Sequence, residues 1–234
     1  YEKINNQTKQ KEGDLKLTTP IEILLEGADL TKYFATKVNS DIEIVKSLDS
    51  IKETFCFLSV GHWMAGIFGE DRKNIGYLIK AFSEVFKNKM KKPALILKTQ
   101  KVGSSIMDQE MVLKQIDQIR SEIKGTVPKI YLLHGEVSDS DMNQLYNHPK
   151  VKAMVSFTKG ERFGRPLLEF SLTGKPIIAS GWSGHTDFLD KARAILIGGS
   201  LDKVHPSAVM KDTLLEEAKW FRPDDNQVGY ALKN

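Results

Sequence analysis

Between Phe55 and Ile197, short apolar runs alternate with amphipathic stretches. Phe55-Cys56-Phe57-Leu58-Ser59-Val60, Ala94-Leu95-Ile96-Leu97, Ile130-Tyr131-Leu132-Leu133, Val151 to Phe157, Pro176-Ile177-Ile178-Ala179 and Ala194-Ile195-Leu196-Ile197 each read as a strand. Their apolar residues run almost without interruption, the mark of strands covered on both faces. Between them, Ile75, Leu78, Ile79, Phe82, Val85 and Phe86 share one face of a helix over residues 74–89. Met111, Val112, Gln115, Ile116, Ile119 and Ile123 do the same over 108–123. Ser138-Asp139-Ser140-Asp141 supplies an N-cap and an acidic first turn for a short helix ending near Asn147. Pro166 to Leu172 predicts a helix closed by Gly174, Thr186 to Leu189 a short helix, and Ala194 to Ile197 the last strand.

Strands that alternate with helices through right-handed crossovers build an open, doubly wound parallel sheet. The expected fold is therefore α/β and Rossmann-like, with ligands bound at the carboxyl ends of the strands. Ahead of this region, residues 1–20 are polar and read as a linker or weakly ordered arm, leaving 21–234 as the domain. Ile21-Glu22-Ile23-Leu24-Leu25 looks like a short strand closed by a turn at Glu26-Gly27-Ala28-Asp29, and residues 30–50 give no clear pattern.

Composition narrows the classes. A chain of 234 residues, 41% of them hydrophobic and 27% charged, can bury its core without disulfides or metals. The single cysteine, Cys56, lies in an apolar run and reads as a buried thiol. That usage fits a reducing compartment, and a cytoplasmic location is expected. No apolar run approaches the roughly 20 residues of a membrane span. The net charge of +4 is mild, and Lys87, Lys89, Lys91 and Lys92 look like a solvated helix end, so no nucleic-acid partner is expected. The five histidines show no metal-ligand spacing. A start at Tyr1 and an end at Lys233-Asn234 in mid-pattern suggest a piece of a longer protein.

The strongest chemical signal follows the strand that ends near Phe157. Lys159-Gly160-Glu161-Arg162-Phe163-Gly164-Arg165-Pro166 leads into a helix carrying Glu169. Gly164 lets the backbone approach a ligand, and Pro166 suits a first helical turn, where no amide donor is missed. Amides around Phe163, Gly164 and Arg165, with the helix dipole behind them, form an expected phosphate site. Two glutamates eight apart are otherwise most simply solvated carboxylates.

Gly160 to Glu169, followed by Gly174-Lys175-Pro176-Ile177-Ile178-Ala179-Ser180, resembles the signature of group-one retaining glycosyltransferases of the GT-B fold. Those enzymes carry two glutamates separated by seven residues, a Phe-Gly pair between them and a Gly-x-Pro-Val-Ile-Ala strand afterwards. Ile23 to Asp29 with Phe34 looks like the family's interdomain junction. Ser59-Val60-Gly61 with Arg72-Lys73-Asn74-Ile75 looks like its first strand and phosphate loop. Gly135-Glu136-Val137-Ser138 resembles its nucleobase loop, and Trp220-Phe221-Arg222-Pro223-Asp224 is similar to the approach to its late helix. The resemblance spans roughly residues 20–230.

The resemblance implies a donor-binding C-terminal domain, one half of a GT-B architecture, that transfers a sugar from a nucleoside-diphosphate sugar to an acceptor hydroxyl with retention. Glu161 would meet the donor sugar, and Lys73 would stabilise the leaving diphosphate. Glu169 would hold the ribose. Gly61, Phe163, Gly164, Arg165, Gly135 and Val137 would line the donor site, which requires no metal or other cofactor. The arginine that the family carries after Val-Gly is His62 here, so either Arg72 substitutes in the clamp or the clamp is weaker. Trp182 and His185 lie on a loop facing the same crevice; a sugar contact and simple packing are both open for Trp182. The acceptor-binding domain would precede this one and has no room in the chain, so the fragment is expected to bind nucleotide or nucleotide sugar weakly, without turnover. A sugar-nucleotide epimerase or phosphorylase of the same fold, and a non-catalytic nucleotide-binding domain, remain as alternatives.

Overall fold

The computed structural model describes residues 20, 22, 24–64, 66, 68–189, 191–192, 194–210 and 214–234. Six parallel strands form its sheet: β1 (Cys56–Val60), β2 (Ala94–Lys98), β3 (Ile130–Leu133), β4 (Val151–Ser156), β5 (Ile177–Ser180) and β6 (Ala194–Ile197), in spatial order β3-β2-β1-β4-β5-β6. The helices are α1 (Glu43–Asp49), α2 (Ile75–Phe86), α3 (Ile106–Ser121), α4 (Asp139–Asn147), α5 (Arg165–Ser171) and α6 (Asp225–Lys233).

The near-continuous apolar strands separate by pleat onto two cores. Phe57, Leu95, Leu97 and Val155 face one way, against Ile79 and Phe82 of α2, Val112, Ile116 and Ile119 of α3, and Val228 of α6. Cys56, Leu58, Ile96 and Met154 face the other, against Leu48 of α1, Tyr146 of α4 and Phe170 of α5. Successive side chains on a strand point to opposite faces, so a strand between two helix layers must be apolar throughout. The register sets Phe57 beside Leu95 and Ala153, and Ile96 beside Tyr131. Burial at Cys56 pushes its thiol up to about 11, which keeps it protonated and unreactive at neutral pH.

Strand order decides where a ligand can sit. The chain winds outward from β1 to β3, returns, and lays β4 on the opposite side of β1. The crossovers flanking β1 and β4 therefore leave on opposite faces, and a crevice opens at their carboxyl ends. The loops that border it are 61–74 and 157–164.

The structure amends three sequence expectations. Leu24 and Leu25, placed in a first strand with Ile21 and Ile23, lie outside any strand and are exposed; Ile21 and Ile23 fall outside the described residues. Of the expected arm, residues 1–19 also fall outside them. The helix expected at Thr186–Leu189 is a 3-10 turn over Gly184–Asp187. Ala194–Ile197 is a strand but not the last: β7 (Gly199–Lys203) and β8 (Lys219–Pro223) follow as an antiparallel pair.

Candidate active site

The loop after β1 returns to α2 through Asp71-Arg72-Lys73-Asn74. The buried Asp71 carboxylate accepts from the amides of Lys73 and Ile75, both at 3.1 Å, and so fixes the start of α2. Asn74 takes a left-handed conformation (φ 58°), which asparagine tolerates, and its side chain donates to the Phe157 carbonyl at 3.0 Å. The Arg72 carbonyl accepts from the Lys159 amide at 2.9 Å. These bonds pin the β1 loop to the β4 loop. Gly61 completes the arrangement: a Cβ there would stand 3.3 Å from Cδ of Lys73, so the lysine stem lies across it.

Lys73 and Arg72 converge on Glu161. Lys73 Nζ lies 2.5 Å from Oε1 and Arg72 Nη1 lies 3.1 Å from Oε2; Arg72 also donates to the Gly160 carbonyl. The Glu161 side chain is 8% exposed. Burial alone would raise its carboxyl, but Lys73 and then Arg72 outweigh burial and hold it below its ordinary value. Glu161 is thus a buried carboxylate kept ionised by two cations.

Gly164 follows with φ 92°, caps α5, and meets His185 so closely that a Cβ would lie 2.9 Å from the histidine's own. His185 is fully buried and bonds the Ser180 carbonyl through Nε2 at 2.6 Å, which makes Nε2 the protonated nitrogen. Its Nδ1 has no hydrogen-bond partner among the described residues. Phe163 packs on Phe188 with ring centres 5.1 Å apart. Arg165 is exposed, 3.9 Å from Glu26.

Glu169 lies inside α5, buried, and accepts from the Tyr146 hydroxyl at 3.0 Å. Burial raises its carboxyl despite that bond. Gly135 has φ 92° and its carbonyl accepts from Lys98 Nζ at 2.6 Å, while Val137 packs on the second core. His62 is exposed and bonds the Lys101 carbonyl at 3.2 Å. Trp182 stacks on Phe221 at 6.4 Å and stays 43% exposed.

Of the residues named from sequence, the structure gathers Gly61, Arg72, Lys73, Glu161 and Gly164 at the crevice. Sequence reasoning missed Asp71 and gave no individual role to Asn74, Tyr146 and Ser183. Ser183 Oγ accepts from the Glu161 amide at 2.9 Å and donates to its carbonyl at 2.5 Å. The space left between Lys73, Glu161 and Gly164 is small, about 10 Å3. A larger cavity, about 730 Å3, runs along α2 under β7 and β8, lined by Tyr77, Trp220 and Lys159 among others. Size is a weaker guide here than chemistry. The small space holds the converging charges, and Lys73 on Glu161 is what closes it.

No protein-family model matches the chain, and no curated protein matches it in sequence. Solved structures do match. The C-terminal domain of a glycosyl transferase group 1 family protein, LpcC from Francisella tularensis, superposes with a TM-score of 0.51 at 12% identity, over 73% of this chain and 80% of that one. WaaG, a glycosyltransferase involved in lipopolysaccharide biosynthesis, gives 0.55 at 17%, over 91% and 47%. HepE from Anabaena, in complex with UDP and glucose, gives 0.50 at 19%, over 73% and 41%. The chain thus spans most of an isolated C-terminal domain and less than half of WaaG or HepE. Its fold is that of the Rossmann-like C-terminal half of a GT-B glycosyltransferase.

Proposed function

We propose that this chain is the donor-binding domain of a retaining glycosyltransferase, which moves a hexosyl group from a nucleoside-diphosphate sugar to an acceptor hydroxyl. One observation carries the reading: Lys73 and Arg72 converge on a buried Glu161 at the carboxyl ends of β1 and β4, beside the start of α5. Two cations and a helix start suit a diphosphate, because both lower the energy of the charge that grows on the leaving group as the glycosidic bond breaks. HepE, on the same fold, holds UDP and glucose.

In this reading the diphosphate takes Lys73 and Arg72 from Glu161, and the freed carboxylate turns to the donor sugar. The amides at Phe163, Gly164 and Arg165 cradle the phosphates. Glu169, steadied by Tyr146, holds the ribose, and the Gly135–Val137 loop meets the base. The leaving phosphate accepts the acceptor's proton, which lets the sugar keep its anomeric configuration without a strong protein nucleophile. No cofactor beyond the donor enters the scheme. The acceptor belongs to a second domain of the same enzyme, and the lone buried Cys56 fits a cytoplasmic setting.

A thermal-shift and calorimetric screen of UDP-, GDP-, ADP- and dTDP-sugars tests this. At least one should bind, and Lys73→Ala should weaken it about 10- to 100-fold, the worth of one charged hydrogen bond. Binding by none of them, or equal binding by Lys73→Ala, would overturn the reading.

A further inference from the structure

We propose that Ser183 is a positioning residue that fixes Glu161 for the donor, an inference that rests on Glu161 facing the donor sugar. The loop after β5 brings Ser183 against the β4 loop, where its hydroxyl spans the backbone of Glu161, accepting from its amide and donating to its carbonyl. The next amide, Gly184, donates to the same carbonyl at 3.0 Å. Gly184 is pressed so close that a Cβ would stand 1.9 Å from the Arg162 carbonyl oxygen. Ser183 and Gly184 together grip residues 161 and 162.

The backbone of Ser183 is strained as well. At φ 84° and ψ −173° it occupies a region that is essentially reserved for glycine. A glycine would make the same turn without strain. The one thing serine adds at this position is its hydroxyl, and both hydrogen bonds of that hydroxyl go to Glu161. Strain kept at a single residue, with its side chain committed to a candidate catalytic carboxylate, is the pattern of a residue retained for the site rather than for the turn. Its effect passes through Glu161, whose carboxylate faces Lys73 and Arg72 from the β1 loop and lies near His185 from the β5 loop.

The test compares Ser183→Gly with the unaltered 234-residue chain, using UDP-glucose as the probe. Glycine removes the hydroxyl and relieves the strain, so the melting temperature should stay level or rise. UDP-glucose affinity should nevertheless fall about tenfold, the worth of one hydrogen bond between the donor sugar and a Glu161 that is no longer held in place. Ser183→Ala should lose the same affinity and melt lower, because it keeps the strain. Two readouts need no nucleotide. In Ser183→Gly the Glu161 amide should exchange with solvent about tenfold faster, and the Glu161 carboxyl resonance should titrate at higher pH as the side chain leaves its cations. Full affinity in Ser183→Gly, or an unchanged exchange rate and titration, would overturn the proposal. If the unaltered chain binds no nucleotide sugar, the glycosyltransferase reading fails by itself, and exchange and titration still decide the role of Ser183.

Discussion

At the scale of single residues, the proposed donor site sets a diphosphate in competition with Glu161 for the Lys73 ammonium, which lies 2.5 Å from the carboxylate. Two predictions follow from that competition. Glu161→Gln should keep or tighten the affinity for a nucleoside diphosphate, measured by calorimetry, while sugar transfer by the complete enzyme collapses; a loss of diphosphate affinity would mean that Glu161 builds the anion site instead. The second concerns acid. The folded-state carboxyl sits below its ordinary value, so its contribution to stability is complete above the unfolded value, near 4.3. It is lost as pH falls through the lower folded value. Unfolding free energy measured from pH 6 to pH 2 should therefore decline less steeply in Glu161→Gln than in the unaltered chain. Little of this pair was legible in sequence: the partners lie 88 residues apart, and only the strand order that sets β1 beside β4 brings them together. Ser183 was less legible still, because a serine with positive φ leaves no compositional sign.

At the scale of elements, the crevice depends on how α2 and α5 begin. Gly164→Ala should cost about 1–3 kcal/mol by urea unfolding, since the new methyl must take φ 92° and crowd Cβ of His185. Phe82, fully buried on α2 between Phe57 and Phe86 with ring centres at 5.7 and 4.9 Å, anchors the helix. Phe82→Ala should cost about 3–5 kcal/mol and loosen the Lys73 loop with it. The helix was plain in sequence because Ile75, Leu78, Ile79 and Phe82 keep helical spacing and are all buried. Helix α1 was not: Val45 and Leu48 are its buried residues, and no side chain caps its start. The run at 21–25 misled for the converse reason, being apolar while Leu24 stays 96% exposed. Strand β7, exposed at every position, offered no pattern to read.

At the scale of the whole molecule, the sheet was legible because burial on both faces demands unbroken apolar strands. The turn of strand order at β1 and β4 then fixed which loops could meet. What the pattern does not encode is which concavity a ligand enters. One candidate is the charged crevice at Glu161; another is the 730 Å3 cavity along α2, walled by Tyr77 and Trp220. Backbone amide shifts recorded while UDP is titrated into the chain decide between them. The largest changes should fall on Gly61, Lys73 and the stretch 160–165, and in Lys73→Ala they should need about 10- to 100-fold more UDP. Changes confined to Tyr77, Trp220 and the β7–β8 hairpin, with the crevice silent, would contradict the donor-site reading.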